Sequence, residues 1–138
     1  MTTRNKIITA TQPLIESLES RRLLSASLAG AQLRVDGTSR SDTITVDIDD
    51  AGLISVNING KASEFDQSVV ETLRVRGLGG NDDIELTGFF NDFDILVSVF
   101  GNGGRDTILG SDAPETIFAG AGDDKIFGGG GDDDLFLF

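Results

Sequence analysis

The chain of 138 residues contains no Cys and no His. Without Cys there is no disulfide framework, no thiolate zinc site and no cysteine nucleophile. Without His there is no Ser-His-Asp triad, no HExxH zinc site and no imidazole acid–base pair, so any catalysis would run on carboxylates. Trp and Tyr are absent as well, which leaves the nine Phe as the rings available for stacking on bases or sugars. No apolar run approaches the ~18 residues a membrane helix needs. The length fits one domain or a short repeat array, with enough apolar residues (38%) for a modest core.

Cations are scarce in one half only. Residues 1–76 carry nine Lys/Arg against ten Asp/Glu, whereas 77–138 carry Arg105 and Lys125 against thirteen acids, so nearly all of the net charge of −12 is C-terminal. Glycine divides the same way, four before the cut and fourteen after it. Such a surface repels phosphate, which disfavours nucleic acid as a partner. A Gly- and Asp-rich tract is either disordered or a cation-binding lattice, and a fixed period separates the two.

The period is nine. GNGGRDTIL from Gly101, GSDAPETIF from Gly110, AGAGDDKIF from Ala119 and GGGGDDDLF from Gly128 follow one another without a slip. An acid recurs at Asp106, Glu115, Asp124 and Asp133, and two places later an aliphatic recurs at Ile108, Ile117, Ile126 and Leu135. GLGGNDDIE from Gly77 fits the frame with Asp82 and Ile84, and GTSRSDTIT from Gly37 is a degenerate copy with Asp42 and Ile44. Glycine suits a turn that needs φ > 0 and exposed carbonyls. Asp is the shortest carboxylate, and alternation about the aliphatic buries it while its neighbours face solvent.

These nonapeptides over 77–85 and 101–136 resemble the G-G-x-G-x-D-x-U-x repeat of the RTX, or haemolysin-type calcium-binding, family. The resemblance implies an all-β fold, a short parallel β-roll in which each nonapeptide is half a coil, the Gly-rich six forming a turn and x-U-x a strand. It implies Ca2+ as the bound ion. The implied ligands are Asp82, Asp106, Asp124 and Asp133, with Glu115 a weaker one, together with the turn backbone of Gly101, Gly103, Gly104, Gly120, Gly122, Gly129 and Gly131. Two nonapeptides per coil would stack Asp106 with Asp124 and Glu115 with Asp133. Adjacent coils lie about 4.8 Å apart, so like charges would oppose the stack unless a cation sat between them. Ala113, Pro114 and the longer Glu115 depart from the pattern. Asp82, 24 residues before Asp106, joins that edge only if 86–100 is an irregular extended pass. Asp83, Asp123, Asp132 and Asp134 are expected to point outward. The ending Asp134–Phe138 also resembles the acid-plus-hydrophobics terminus of some exported RTX proteins, an ordinary last repeat being the alternative.

Residues 31–76 read as an antiparallel β-hairpin region leading into the 77–138 array. Ile44, Val46, Ile48 and Ile54, Val56, Ile58 alternate on either side of Asp49–Gly52, and Asn59-Gly60 marks a second turn toward Ala62–Phe65. Val69–Val75 reads as the strand that enters the first good repeat, and the Phe-rich 86–100 as a hydrophobic flank widening the core. The acids Asp92 and Asp94 could suit glycoside chemistry only across a cleft, which so short a chain does not argue for. Residues 1–30 read as an export- or targeting-like segment, with a short N-terminal helix expected from Pro13 to about Leu24. Leu18–Ala26 resembles the LEPRxLLSA motif of bacterial extracellular proteins, with Ser20 replacing Pro. The segment has no long apolar stretch of the kind a secretory signal peptide carries.

The expectation is thus an extracellular, bacterial calcium-binding protein with a structural, adhesion or surface role and no enzyme activity, its partners calcium and cell-surface or matrix components. Two alternatives stay open: a non-catalytic fragment of an exported RTX toxin or hydrolase, and an interaction module using 86–100 regardless of calcium.

Overall fold

The computed structural model describes residues 25–88 and 90–138. Among these residues twelve strands follow one another: β1 (Ser25–Ala29), β2 (Gln32–Asp36), β3 (Thr43–Ile48), β4 (Leu53–Ile58), β5 (Lys61–Asp66), β6 (Thr72–Arg76), β7 (Asp83–Gly88), β8 (Leu96–Phe100), β9 (Thr107–Leu109), β10 (Glu115–Phe118), β11 (Lys125–Phe127) and β12 (Asp134–Phe136). They form two six-stranded sheets, one in the order β1-β2-β6-β8-β10-β12 and the other β11-β9-β7-β3-β4-β5. From β6 onward the chain alternates between the sheets, and each return pairs in parallel with the strand before it, as in β6 with β8 and β7 with β9. This winding is a β-roll. Parallel pairing already begins at β2 with β6 and β3 with β7, so the degenerate copy at Gly37 is a coil of the roll.

The interior follows from the period-two alternation. One inward row runs Ile58, Ile44, Ile84, Ile108, Ile126 and the facing one Val35, Val75, Val99, Ile117, Leu135, each residue in register with the next. Ile44, Val35, Val75, Val99, Ile108 and Ile117 are fully buried. Ile126 is half-buried and Leu135 is 44% exposed, because no further strand packs against β11 or β12 among the described residues.

The hairpin of alternating aliphatics forms as expected, with Ile44 opposite Ile58, Val46 opposite Val56 and Ile48 opposite Ile54, and β5 follows at the Asn59-Gly60 turn. Its β4 and β5 cover the outer edge of β3, while β1 covers the edge of β2. The strand expected over Val69–Val75 starts at Thr72 instead. Gln67–Val69 is a 3-10 turn begun by Asp66, whose carboxylate accepts the Ser68 N–H at 2.9 Å, and Val69 is exposed. In the Phe-rich pass Phe90 is buried and Phe93 packs against the core. Phe100 does not join that interior: it follows the inward Val99, so its ring turns outward and stacks on Phe118, which stacks on Phe136, with centroids 4.9 and 4.7 Å apart. The expected helix at Pro13–Leu24 lies outside the described residues, and of the motif at 18–26 Ser25 and Ala26 begin β1.

Candidate functional site

Along one edge of the roll four turns, 37–42, 77–82, 101–106 and 119–124, lead from the first sheet to the second, and each ends on an aspartate. The coils differ in length, yet the aspartates meet. Asp42 N–H donates to Asp82 Oδ1 at 2.8 Å across 40 residues, Asp82 N–H to Asp106 Oδ1 at 2.9 Å across 24, and Asp106 N–H to Asp124 Oδ1 at 2.8 Å across 18. The 86–100 segment absorbs the extra residues, so Asp82 does join the edge. On the opposite edge Glu115 N–H donates to Asp133 Oδ1 at 3.0 Å. The carboxylates therefore do not simply repel: those of Asp82, Asp106, Asp124 and Asp133 each take one amide of the neighbouring coil.

At Asp82 and Asp106 that amide satisfies only one oxygen. Asp82 is 1% and Asp106 0% exposed, and the Oδ2 of each is buried with no hydrogen-bond partner. A buried, unpaired carboxylate oxygen is costly. Burial accordingly pushes the Asp82 carboxyl up to about 7, against the Asp42 N–H bond that lowers it and with the Asp106, Asp42 and Asp83 charges adding to the rise. Asp106 is raised in the same way, by burial first and by Asp124 as a lesser cause, while the Asp82 N–H opposes the shift.

Glycine leaves the space in front of these oxygens open. A Cβ on Gly101 would come 2.6 Å from Asp106 Oδ2 and 2.5 Å from the Ala119 carbonyl; a Cβ on Gly77 would overlap Asp82 Oδ2 and lie 3.1 Å from the Gly101 carbonyl. A carboxylate oxygen and a carbonyl of the next coil thus border one small volume, which is oxygen chemistry suited to a hard cation. Among the described residues no three acid side chains gather around a common point, so most ligands would be carbonyls. Gly104 and Gly122 stack behind one another with φ of +119 and +135, and a Cβ on either would overlap the carbonyl of the coil before, that of Gly80 or Gly104.

The expected turn residues fall on the two edges as follows. Gly101, Gly103, Gly104, Gly120 and Gly122 belong to the Asp106 and Asp124 turns, where Gly103 bridges to Ala121; Gly129 and Gly131 belong to the Asp133 turn. Asp83, Asp123, Asp132 and Asp134 face solvent as expected. Glu115 sits differently. It is 3% exposed, and both carboxylate oxygens accept the Ser111 N–H at 3.1 Å, with the Ser111 hydroxyl on Oε1 as well. Burial raises it to about 7, against those Ser111 bonds and aided by the Asp133 and Asp112 charges. Two residues that the period does not single out, Thr38 and Asn59, bind the carboxylate of Asp42. The visible signal for the first is the hydroxyl residue standing after Gly37, as Ser111 stands after Gly110.

This glycine-turn β-roll with stacked aspartates is a repeat-built, cation-seeking solenoid. Residues 109–137 match the model of the RTX calcium-binding nonapeptide repeat (4 copies). That stretch, from the end of β9 through β12, is built of RTX repeats, whose ion is calcium. The turns at 77–82 and 101–106 lie upstream of the match and continue its ladder. No curated protein and no solved structure matches the chain.

Proposed function

We propose that the chain is an extracellular calcium-binding protein, exported from a bacterium, with a structural, adhesion or surface role and no catalytic centre of its own. The observation that carries this reading is the pair of buried, unpartnered Oδ2 atoms on Asp82 and Asp106, in line with the RTX repeats at 109–137. Asp82, Asp106, Asp124 and Asp133 would hold calcium together with turn carbonyls such as those of Gly101 and Ala119. When bound, calcium supplies the positive charge that these desolvated carboxylates lack. The residues contribute the rest: glycine keeps the volume clear, the ladder amides orient Oδ1, and the aliphatic two places on anchors each turn to the core. Ligand binding to the folded form alone adds to its stability, so ion and fold are linked. Extracellular calcium modules bind at about 10⁻⁴ to 10⁻³ M, a range filled outside cells and empty within. Circular dichroism of the purified chain during a calcium titration, with magnesium as control, tests this. A reversible gain of β-signal specific to calcium is expected; a β-rich spectrum in chelator that calcium leaves unmoved would refute it.

A further inference from the structure

The first rung of the aspartate ladder is filled differently from those after it. Asp42 Oδ2 accepts the Thr38 N–H at 2.6 Å and the Thr38 hydroxyl at 3.0 Å, and Asp42 Oδ1 accepts Asn59 Nδ2 at 2.7 Å. The other end of the same amide, Asn59 Oδ1, accepts the Thr43 N–H at 2.8 Å. In each later coil these two tasks fall to the peptide groups of the preceding ladder aspartate. Asp42 N–H serves Asp82 Oδ1 while the Asp42 carbonyl takes the Asp83 N–H, both at 2.8 Å. The Asp82 carbonyl likewise takes the Thr107 N–H and the Asp106 carbonyl the Lys125 N–H, each at 2.8 Å. The Asn59 side chain therefore presents the N–H and C=O that a coil before β3 would have presented. It reaches this position from the tight turn after β4, at φ +54, and its own N–H donates to the Thr43 carbonyl at 2.9 Å.

The residue four places before the carboxylate also differs. Leu78 and Asn102 stand at φ +75 and +76, in the left-handed region that non-glycine residues adopt only at a cost of about 1–3 kcal/mol. No donor reaches Asp82 Oδ2 or Asp106 Oδ2 there. Thr38, the equivalent residue, lies outside the left-handed region and closes Asp42 with its amide and hydroxyl. A Cβ on Gly37 would also stand between a carboxylate oxygen and a carbonyl, 2.7 Å from each of Asp42 Oδ2 and Gly77 O. The oxygen is already taken.

We infer that Asn59 and Thr38 form a metal-free cap on the ladder, so that its first rung folds without a cation and the cation sites begin at Asp82. The second half of this statement rests on the calcium reading above; the cap itself does not. The test uses the full chain in two measurements. In calorimetric calcium titrations, Asp42→Asn binds as many ions as the unchanged chain, and Asp106→Asn binds at least one fewer. In hydrogen exchange with chelator present, the Thr43 amide of the unchanged chain is slowed at least ~100-fold relative to unstructured chain. Asn59→Gly keeps the positive-φ turn, leaves the ion count unchanged and speeds Thr43 exchange about tenfold. Loss of an ion in Asp42→Asn, or a Thr43 amide unprotected in chelator, overturns the cap. An unchanged chain that binds no calcium sinks the calcium reading instead, and Thr43 protection then decides the cap by itself.

Discussion

The first coils and the last ones share one ladder and one winding, yet different forces close them. Between β2 and β7 the offset is 40 residues, and the extra chain makes β4 and β5, which bury Ile54, Val56 and Ile58 against β3. The carboxylate there ends on the Thr38 amide and hydroxyl and on the Asn59 side chain. From β9 to β12 the offset falls to 18 residues and the strands are mostly three residues long, and at the end of the roll, where no strand follows β11 or β12 among the described residues, Ile126 is half-buried and Leu135 exposed. Apolar burial stabilises by roughly 25 cal/mol per Å², so β11 and β12 gain little from their core, and the buried oxygens of the ladder stay unpaired upstream at Asp82 and Asp106. A small solenoid can offset a thin core with an ion, and where it can afford a hairpin it needs only an amide.

The largest effect that separates the regions is expected in the glycine column. Gly104→Ala places a Cβ onto the Gly80 carbonyl at φ +119, and should cost at least about 3 kcal/mol in urea unfolding with calcium present. Gly60→Ala, at φ +90 with nothing within 4 Å, should cost about 1 kcal/mol. Equal losses would remove the argument that coil contact, rather than turn conformation, dictates glycine in the late coils.

A smaller contrast lies in the core. Ile108→Ala, at a fully buried position, should lose about 3 kcal/mol, and Ile126→Ala, one coil later in the same row, about 1 kcal/mol. Denaturant midpoints of the two variants in calcium compare them directly. A larger loss at Ile126 would mean that something covers the end of the roll.

The mildest probe is pH. In the folded roll Asp82 and Glu115 titrate near 7, raised above their ordinary values by burial, and Asp106 is raised as well. The folded form therefore binds more protons than the unfolded one between about 4 and 7. The stability this lends to the metal-free roll is complete below the ordinary carboxylate range and disappears as pH rises through 7. In chelator the melting temperature should be higher at pH 5 than at pH 8. The opposite slope would show that these carboxylates are not desolvated.

Much of this was legible in the order of residues. The nine-residue recurrence placed Asp106, Asp124, Asp133 and their aliphatics, and hydrophobic alternation placed the β3–β4 hairpin, because both signals are local. The start of the strand before Arg76 was not, since an Asp66 cap competes with β-branched residues that read equally well as strand. The outward turn of Phe100 follows from parity with Val99, which a count of aromatics cannot reveal.

What the sequence determined by itself is the chemistry of the turn: glycine where the backbone must pass close, a short carboxylate at its end, an aliphatic two places on to anchor it. What only the tertiary structure decided is which carboxylate meets which peptide. Offsets of 40, 24 and 18 residues bring Asp42, Asp82, Asp106 and Asp124 into one column. They do so because parallel pairing aligns strands and leaves the intervening chain free to vary. Asn59 enters that column from 17 residues away through a side chain alone, and no period could have announced it.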